Sequence, residues 1–315
     1  MANTEIVGGV DTYVLYEEES TYGTAVTPDN HFGTETTLRV RKTRNLQKMR
    51  GMSDGSTGGQ TVRTTLTGKY QSTLSVDFNP ISFAHLKLIQ GAVSGSGTGA
   101  SPFSYTHSTR PPSITIGHML NNGTTDSRRR HPGCIATSYT LRAAEGQAPT
   151  CSMEFMSGTS ISASTTLDAN AAIPTGSEYN FDGGTLEAPD GSAIDNVIDS
   201  VTITINREAR LHYGLSATAV SYTYGATTYS ISATFKYKDD DHWTNFQGSQ
   251  TAYAALASYA TMALRFTNGA TKYVDFVFSN VTADPHDDND VLNEALTEDV
   301  TYTAHTLVVN ERVST

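Results

Sequence analysis

The stretch Lys69–Gly91, KYQSTLSVDFNPISFAHLKLIQG, constrains the fold of this chain more than any other. Ser72, Leu74, Val76 and Phe78 alternate with Thr73, Ser75 and Asp77, the period of two that sets one strand face on a core. Asn79 and Pro80 then read as the N-cap and first residue of a short helix with Ile81, Phe83, Ala84, Leu86, Leu88 and Ile89, and Gly91 as its stop. About 157 residues later, Tyr229, Ile231, Ala233, Phe235 and Tyr237 alternate with Ser230, Ser232, Thr234, Lys236 and Lys238. That run reaches Asp239, Asp240 and Asp241, which suit the start of a second helix carrying Trp243 and Phe246 towards Ser258. A strand-to-helix unit therefore occurs twice, and its neighbours test whether the chain is duplicated.

The neighbours agree in order. Before the first unit, Thr36–Lys42 reads as a strand with Leu38 and Val40 inward, Thr43–Gln60 as a long polar loop, and Thr61–Gly68 as a strand. After it, residues 92–132 are rich in Gly, Ser, Thr and Pro and read as an excursion from the core. That excursion holds two short strands, Phe103–His107 and Ser113–Met119, with Arg128, Arg129 and Arg130 at an exposed tip. Ile135, Thr137, Tyr139 and Leu141 then alternate, Glu145 and Gly146 turn the chain, and Cys151, Met153 and Phe155 return it. Gly158–Gly184 is the candidate linker.

Beyond the linker the order repeats. Val201, Ile203 and Ile205 form a strand, Arg207–Ala217 a loop, Val220–Tyr224 and Tyr229–Lys238 further strands; Met262, Leu264 and Phe266 lead through Asn268-Gly269 to Val274, Phe276 and Phe278, and Val300–Ala304 closes. NLQKMRGM and EARLHYGL occupy equivalent loops, with Gly51 opposite Gly214. The expectation is a mainly β chain of two tandem β-sandwich or barrel domains, 1–165 and 166–315, each flanked by a helix.

Composition fits. Only 17% of the 315 residues are charged, and Gly, Ser and Thr are abundant, as many turns and half-buried strands require. No apolar run is long enough to span a bilayer, and MANTEIVGG lacks the basic and apolar regions of a secretion signal, so a cytosol-like compartment is expected. Cys134 and Cys151 then read as reduced packing residues. Charge is uneven: 14 basic against 11 acidic residues in 1–150 give +3, and 7 against 21 in 151–315 give −14. That asymmetry is either ordinary surface variation or a head-to-tail polymer whose basic end meets an acidic one.

Near the N-terminus a short strand, Tyr13–Tyr16, runs into YEEESTYGTAVTP. This string resembles the opening of tail tube proteins from long-tailed (siphovirus- or myovirus-like) viruses of bacteria and archaea. The resemblance continues through NLQKMRGM at Asn45–Met52, the strand and helix at Lys69–Gly91, and the strand pair around Gly133–Met156. It implies a β-sandwich or barrel with a flanking helix, assembled as stacked rings around a DNA channel, in a virion tail built in the host cytoplasm.

No motif for catalysis competes with this reading. There is no nucleophile elbow and no phosphate-binding glycine loop, so no enzyme and no cofactor are expected. ADPHDDND, from Ala283 to Asp290, offers oxygen ligands for a hard cation but lacks the glycine and distal glutamate of a calcium loop, so a solvated acidic loop is expected and no metal. His85 and His242 read as packing or surface residues. The basic run Arg39, Arg41, Lys42, Arg44, Lys48 and Arg50 admits a solvated loop, a contact with an acidic neighbouring subunit, or a nucleic-acid patch.

Put together, the expected role is structural. Two domains per chain lead to three chains per ring with pseudo-sixfold symmetry, six chains per ring being the alternative. Arg44, Lys48, Arg50, Arg207 and Arg210 are the candidate contacts between rings, and Thr73, Ser75 and Asp77 the candidate channel lining. The partners are other copies of the chain and other tail proteins; viral DNA passes an acidic lumen without specific binding. The competing reading is a carbohydrate- or host-binding β-sandwich module, as in a fibre or decoration protein.

Overall fold

Strand β6 (Tyr70–Asn79) sits where the alternation places it: Ser72, Leu74, Val76 and Phe78 are buried, while Thr73, Ser75 and Asp77 lie on the opposite, more open face. The computed structural model describes residues 12–44, 47–50, 62–66, 68–121, 126–163, 178–187, 198–236, 258–268, 272–289 and 297–313. Among these, the chain is mainly β, with a single open antiparallel sheet of sixteen strands and a separate two-stranded hairpin. The first half contributes β1 (Thr12–Glu18), β2 (Asn30–His31), β3 (Thr34–Arg44), β4 (Gln47–Arg50), β5 (Val62–Leu66), β6, β7 (Gly91–Ser94), β8 (Phe103–His107), β9 (Ile114–Asn121), β10 (Asp126–Ala144), β11 (Thr150–Ser157) and β12 (Ser162–Ala163). The second contributes β13 (Asn180–Glu187), β14 (Ile198–Tyr213), β15 (Ala219–Lys236), β16 (Ser258–Asn268), β17 (Lys272–Asn289) and β18 (Thr297–Arg312).

The two halves carry one strand order. In the first it is β1-β9-β10-β11-β6-β3. In the second it is β13-β16-β17-β18-β15-β14. Every neighbour in both series is antiparallel, and the series join edge to edge where β10 pairs with β14, from Ser138↔Asn206 to Ala144↔Ser200. Even a bulge recurs, after Ala136 where β10 meets β11 and after Ala283 where β17 meets β18. One apolar cluster runs beneath both halves, from Val14 and Leu74 through Ile203 and Ile231 to Phe276 and Val309.

Several elements differ from the sequence reading. The first helix does not start at Pro80: it is a 3-10 turn, Ala84–Leu86, followed by one α-turn, α1 (Lys87–Gln90). Asn79 belongs to β6 and caps nothing; Glu311 reaches across the core instead, accepting the Phe83 backbone N–H at 2.8 Å. The stop at Gly91 is as expected, with φ of 96°, a conformation open to glycine without strain. The described residues of 92–132 are tied into the fold: β8 pairs with β18, β9 with β1 and β10, and Tyr105, Ile114 and Ile116 are core residues. Arg128, Arg129 and Arg130 lie along β10 opposite β9, not on a tip.

Both expected loops contain strand among their described residues. β3 reaches Arg44 and β4 pairs with β5, while β14 continues to Tyr213 and β15 is unbroken from Ala219 to Lys236. Residues 283–289 of the acidic stretch are strand as well, paired with β18 from His286↔Val300 to Asn289↔Thr297. The second helix (241–258) and the domain boundary at 165/166 lie outside the described residues, apart from Ser258, which is the first residue of β16.

Candidate assembly surface

The face of β6 that bears Thr73, Ser75 and Asp77 extends across the sheet as one polar surface. Register places Arg41, Arg39 and Thr37 of β3 beside those three residues on one side, and Met156, Glu154 and Ser152 of β11 on the other. The Ser152 hydroxyl donates to Asp77 Oδ1 at 2.6 Å. Further along, Ser138 donates to Asn206 at 2.9 Å, Ser232 and Thr301 share a hydrogen bond at 3.1 Å, and Thr234 donates to Asp299 at 2.7 Å. Hydroxyls and amides thus bond across strands along the face, the cross-strand pairing that stabilises a solvated sheet side. Charges on it are mixed, with Arg39, Arg41, Arg142 and Arg265 alternating with Asp77, Glu154, Asp275 and Asp299. The face is thus hydroxyl-rich, with charge of both signs.

Of the basic residues expected between rings, the structure separates one from the rest. Arg207 is buried: its guanidinium donates to the Ile89 carbonyl at 2.8 Å and to the Ser108 carbonyl, and stacks over the Tyr224 ring at 4.4 Å. It ties the first half's α1–β8 region to the second half's sheet, which removes it from the inter-ring set. Arg44 and Arg210 are exposed, and Lys48 and Arg50 lie on the backbone of β4. The β14–β15 arm is anchored by the Tyr213 hydroxyl on the Tyr70 carbonyl at 2.7 Å and by Ala219 N–H on the Gly158 carbonyl at 2.9 Å. Beyond these anchors its tip carries a fully exposed Leu215.

The N-terminal motif has a structural purpose that spacing did not reveal. Glu19 turns inward, and its carboxylate accepts from Gly23 N–H (2.9 Å), Gly133 N–H (2.7 Å), the Ser113 hydroxyl (2.8 Å) and the Thr115 hydroxyl (2.8 Å). Gly23 has φ of 76°, and a Cβ there would lie 2.8 Å from Thr159 Cγ2, so the Tyr-Gly turn requires glycine twice over. Glu311 forms a second such centre. It takes hydrogen bonds from Phe83 N–H and from the Tyr105 (3.0 Å) and Tyr179 (2.9 Å) hydroxyls, while burial raises its carboxyl above the ordinary range. Both glutamates stand in polar runs, and only their tertiary partners distinguish them from surface residues.

Three histidines are held neutral by their surroundings. His85 lies among Phe78, Phe83 and Tyr139, and burial lowers its pKa to about 3. His118 and His131 stack, with ring nitrogens 3.1 Å apart; burial, then neighbouring positive groups, lowers them to about 4 and about 3. Cys134 and Cys151 are buried free thiols; burial pushes Cys151 up to about 12. Among the described residues no group of three or more His, Cys, Asp or Glu converges on a metal position.

The family model described as phage tail tube protein matches residues 9–304 of the chain. No curated protein matches it.

Proposed function

We propose how this chain works from the fact that it belongs to the phage tail tube protein family, whose model spans nearly its whole length. It is a structural component of the virion tail that self-assembles into a stacked tube and associates with other tail proteins. The finer reading is that each chain is a tandem duplication, domains 1–165 and 166–315, and that three chains close a ring of pseudo-sixfold symmetry. The observation that carries it is the repeated six-strand order, with the two series already joined edge to edge at β10–β14. A chain that pairs two copies of one unit side by side has built one joint of a ring within itself. Rotation symmetry then requires the same joint between chains.

The polar face bearing Thr73, Ser75 and Asp77 lines the channel in this reading. Hydroxyls bonded to one another, with charge of both signs, give DNA phosphates no continuous row of cations to bind, so the genome slides. The hairpin arms β4–β5 and β14–β15, with Arg44, Lys48, Arg50 and Arg210, reach the adjacent ring. Folding takes place in the host cytoplasm, before incorporation into the tail.

Mass measurement on purified rings, by native mass spectrometry or scanning transmission microscopy, tests the stoichiometry. Three chains of 33.8 kDa per ring are expected, and six would overturn the duplicated-ring reading. The arms are tested separately. Arg44→Glu with Lys48→Glu and Arg50→Glu is expected to leave single rings intact while reducing stacked tube length at least tenfold in micrographs. Tubes of unchanged length would rule out an electrostatic role for that arm.

A further inference from the structure

The internal joint fixes what the joint between chains must look like, residue by residue. In the first half β3 is an outer strand that pairs with β6 alone, and in the second the segment 283–289 of β17 pairs with β18 alone, among the described residues. By strand order β3 corresponds to β14 and β17 to β10, and β14 and β10 are the two strands joined within the chain. Each free edge therefore has a partner within the chain's own repeat, and each lacks that partner at the chain's two ends.

The register follows from paired positions. Leu74 lies opposite Val40 and Phe155, and its counterpart Ile231 lies opposite Ile203 and Tyr302. Val40 thus corresponds to Ile203, and Arg41 to Thr204. On the other strand, Ala136 lies opposite Phe155 and Ala283 opposite Tyr302, each followed by the bulge, so Thr140 corresponds to Asp287. Inside the chain Thr140 pairs with Thr204. We infer that β17 of one chain pairs antiparallel with β3 of the next, with Asp287 opposite Arg41, Asn289 opposite Arg39 and His286 opposite Lys42.

Charge at these positions supports a second copy of this chain as the occupant. Within this register the β3 edge carries Arg39, Arg41 and Lys42, and the β17 edge carries Asp284, Asp287 and Asp288. Within the protomer Asp287 is registered directly opposite Asp299 in the β17–β18 ladder. The contrast with the internal joint is physical. There the inward positions are Tyr139, Leu141, Ile203 and Ile205, all fully buried and covered as soon as the chain folds. The outer edges must stay in water until a partner comes; charged side chains and Pro285 keep them from pairing with unrelated strands. Opposite charge then steers the right edges together.

The proposal rests on the ring reading above, and cysteine pairing separates the two. Arg41→Cys with Asp287→Cys in the full chain is expected to give, on mild oxidation, disulfide-linked closed oligomers on a non-reducing gel. The pair Arg39→Cys with Asp287→Cys, shifted by two residues, stands beyond disulfide reach and is expected to link at least tenfold less. Cys134 and Cys151 are buried and do not compete. Rings in micrographs with no cross-link at 41/287, or with the shifted pair linking equally, would overturn the register but leave the ring. Absence of any ring would sink both. Arg41→Asp and Asp287→Arg serve as a check free of oxidation: each alone should slow assembly at low salt at least tenfold, and the two together should restore it. A double variant no better than the singles would also overturn the register.

Discussion

Replacing Glu19 with alanine is expected to lower the thermal unfolding midpoint of the protomer by on the order of 10 °C and to abolish tube formation. The argument is one of counting donors. The carboxylate satisfies two backbone N–H groups and two hydroxyls drawn from the Tyr22–Gly23 turn, β9 and the Pro132–Gly133 bend of β10. Hydrogen bonds to a charged acceptor contribute about 1.5–3 kcal/mol each, and buried donors left without a partner cost about 1–3 kcal/mol. Even with partial rescue by water, a loss of roughly 3–5 kcal/mol follows. Glu19→Gln keeps the shape but turns one acceptor oxygen into a donor facing other donors, so it should recover less than half of the loss. Calorimetry or circular dichroism decides; a midpoint within about 2 °C of the parent for Glu19→Ala would show that the clamp is dispensable.

That prediction concerns the motif on which the family resemblance was first visible. Legible in the sequence were strands with one buried face, since alternation such as Ser72 to Phe78 or Ile135 to Leu141 reports burial directly. The Gly91 stop was legible because local backbone geometry selects glycine there, and Asn268-Gly269 marked the antiparallel pairing of β16 with β17. The hairpin arms were not. Residues 207–213 are held in strand by backbone pairing to β15; half-buried Ala209, Leu211 and Tyr213 alternate there with exposed Glu208, Arg210 and His212, a run too short and too weakly apolar to stand out in the sequence. The acidic stretch of β17 read as a loop for a related reason. Its proline and aspartates defend a strand edge, and an edge built to avoid stray pairing has the composition of a turn. Burial of Arg207 was equally hidden, because an arginine that bonds two carbonyls and covers an aromatic ring looks in sequence like any surface cation.

Acid is expected to destabilise the protomer as pH falls through the ordinary imidazole range, with an unfolding free energy lower by at least about 2–4 kcal/mol at pH 4 than at pH 7. His85, His118 and His131 have folded pKa values lowered to about 3, 4 and 3, chiefly by burial, against about 6.5 when unfolded. The unfolded chain thus binds protons from about pH 6.5 downwards and the folded chain does not, so the stability these groups confer is full above pH 6.5 and drains away towards pH 4. Glu311 acts in the opposite sense: its raised folded pKa makes its contribution greatest below the unfolded value and diminishes it as pH rises. One carboxyl cannot offset three imidazoles across that window. His131→Phe, which preserves a buried ring without the titrating nitrogens, is expected to flatten the pH profile between 6.5 and 4 relative to the parent. Denaturant unfolding at a series of pH values reads this directly, and a parent profile that is level or rises towards pH 4 would show that the imidazoles gain protons without opening the fold. Because the His118–His131 pair bridges β9 and β10, and β10 carries the joint to the second half, protonation there should loosen the pairing of β1 and β9 with β10 before the β10–β14 joint gives way.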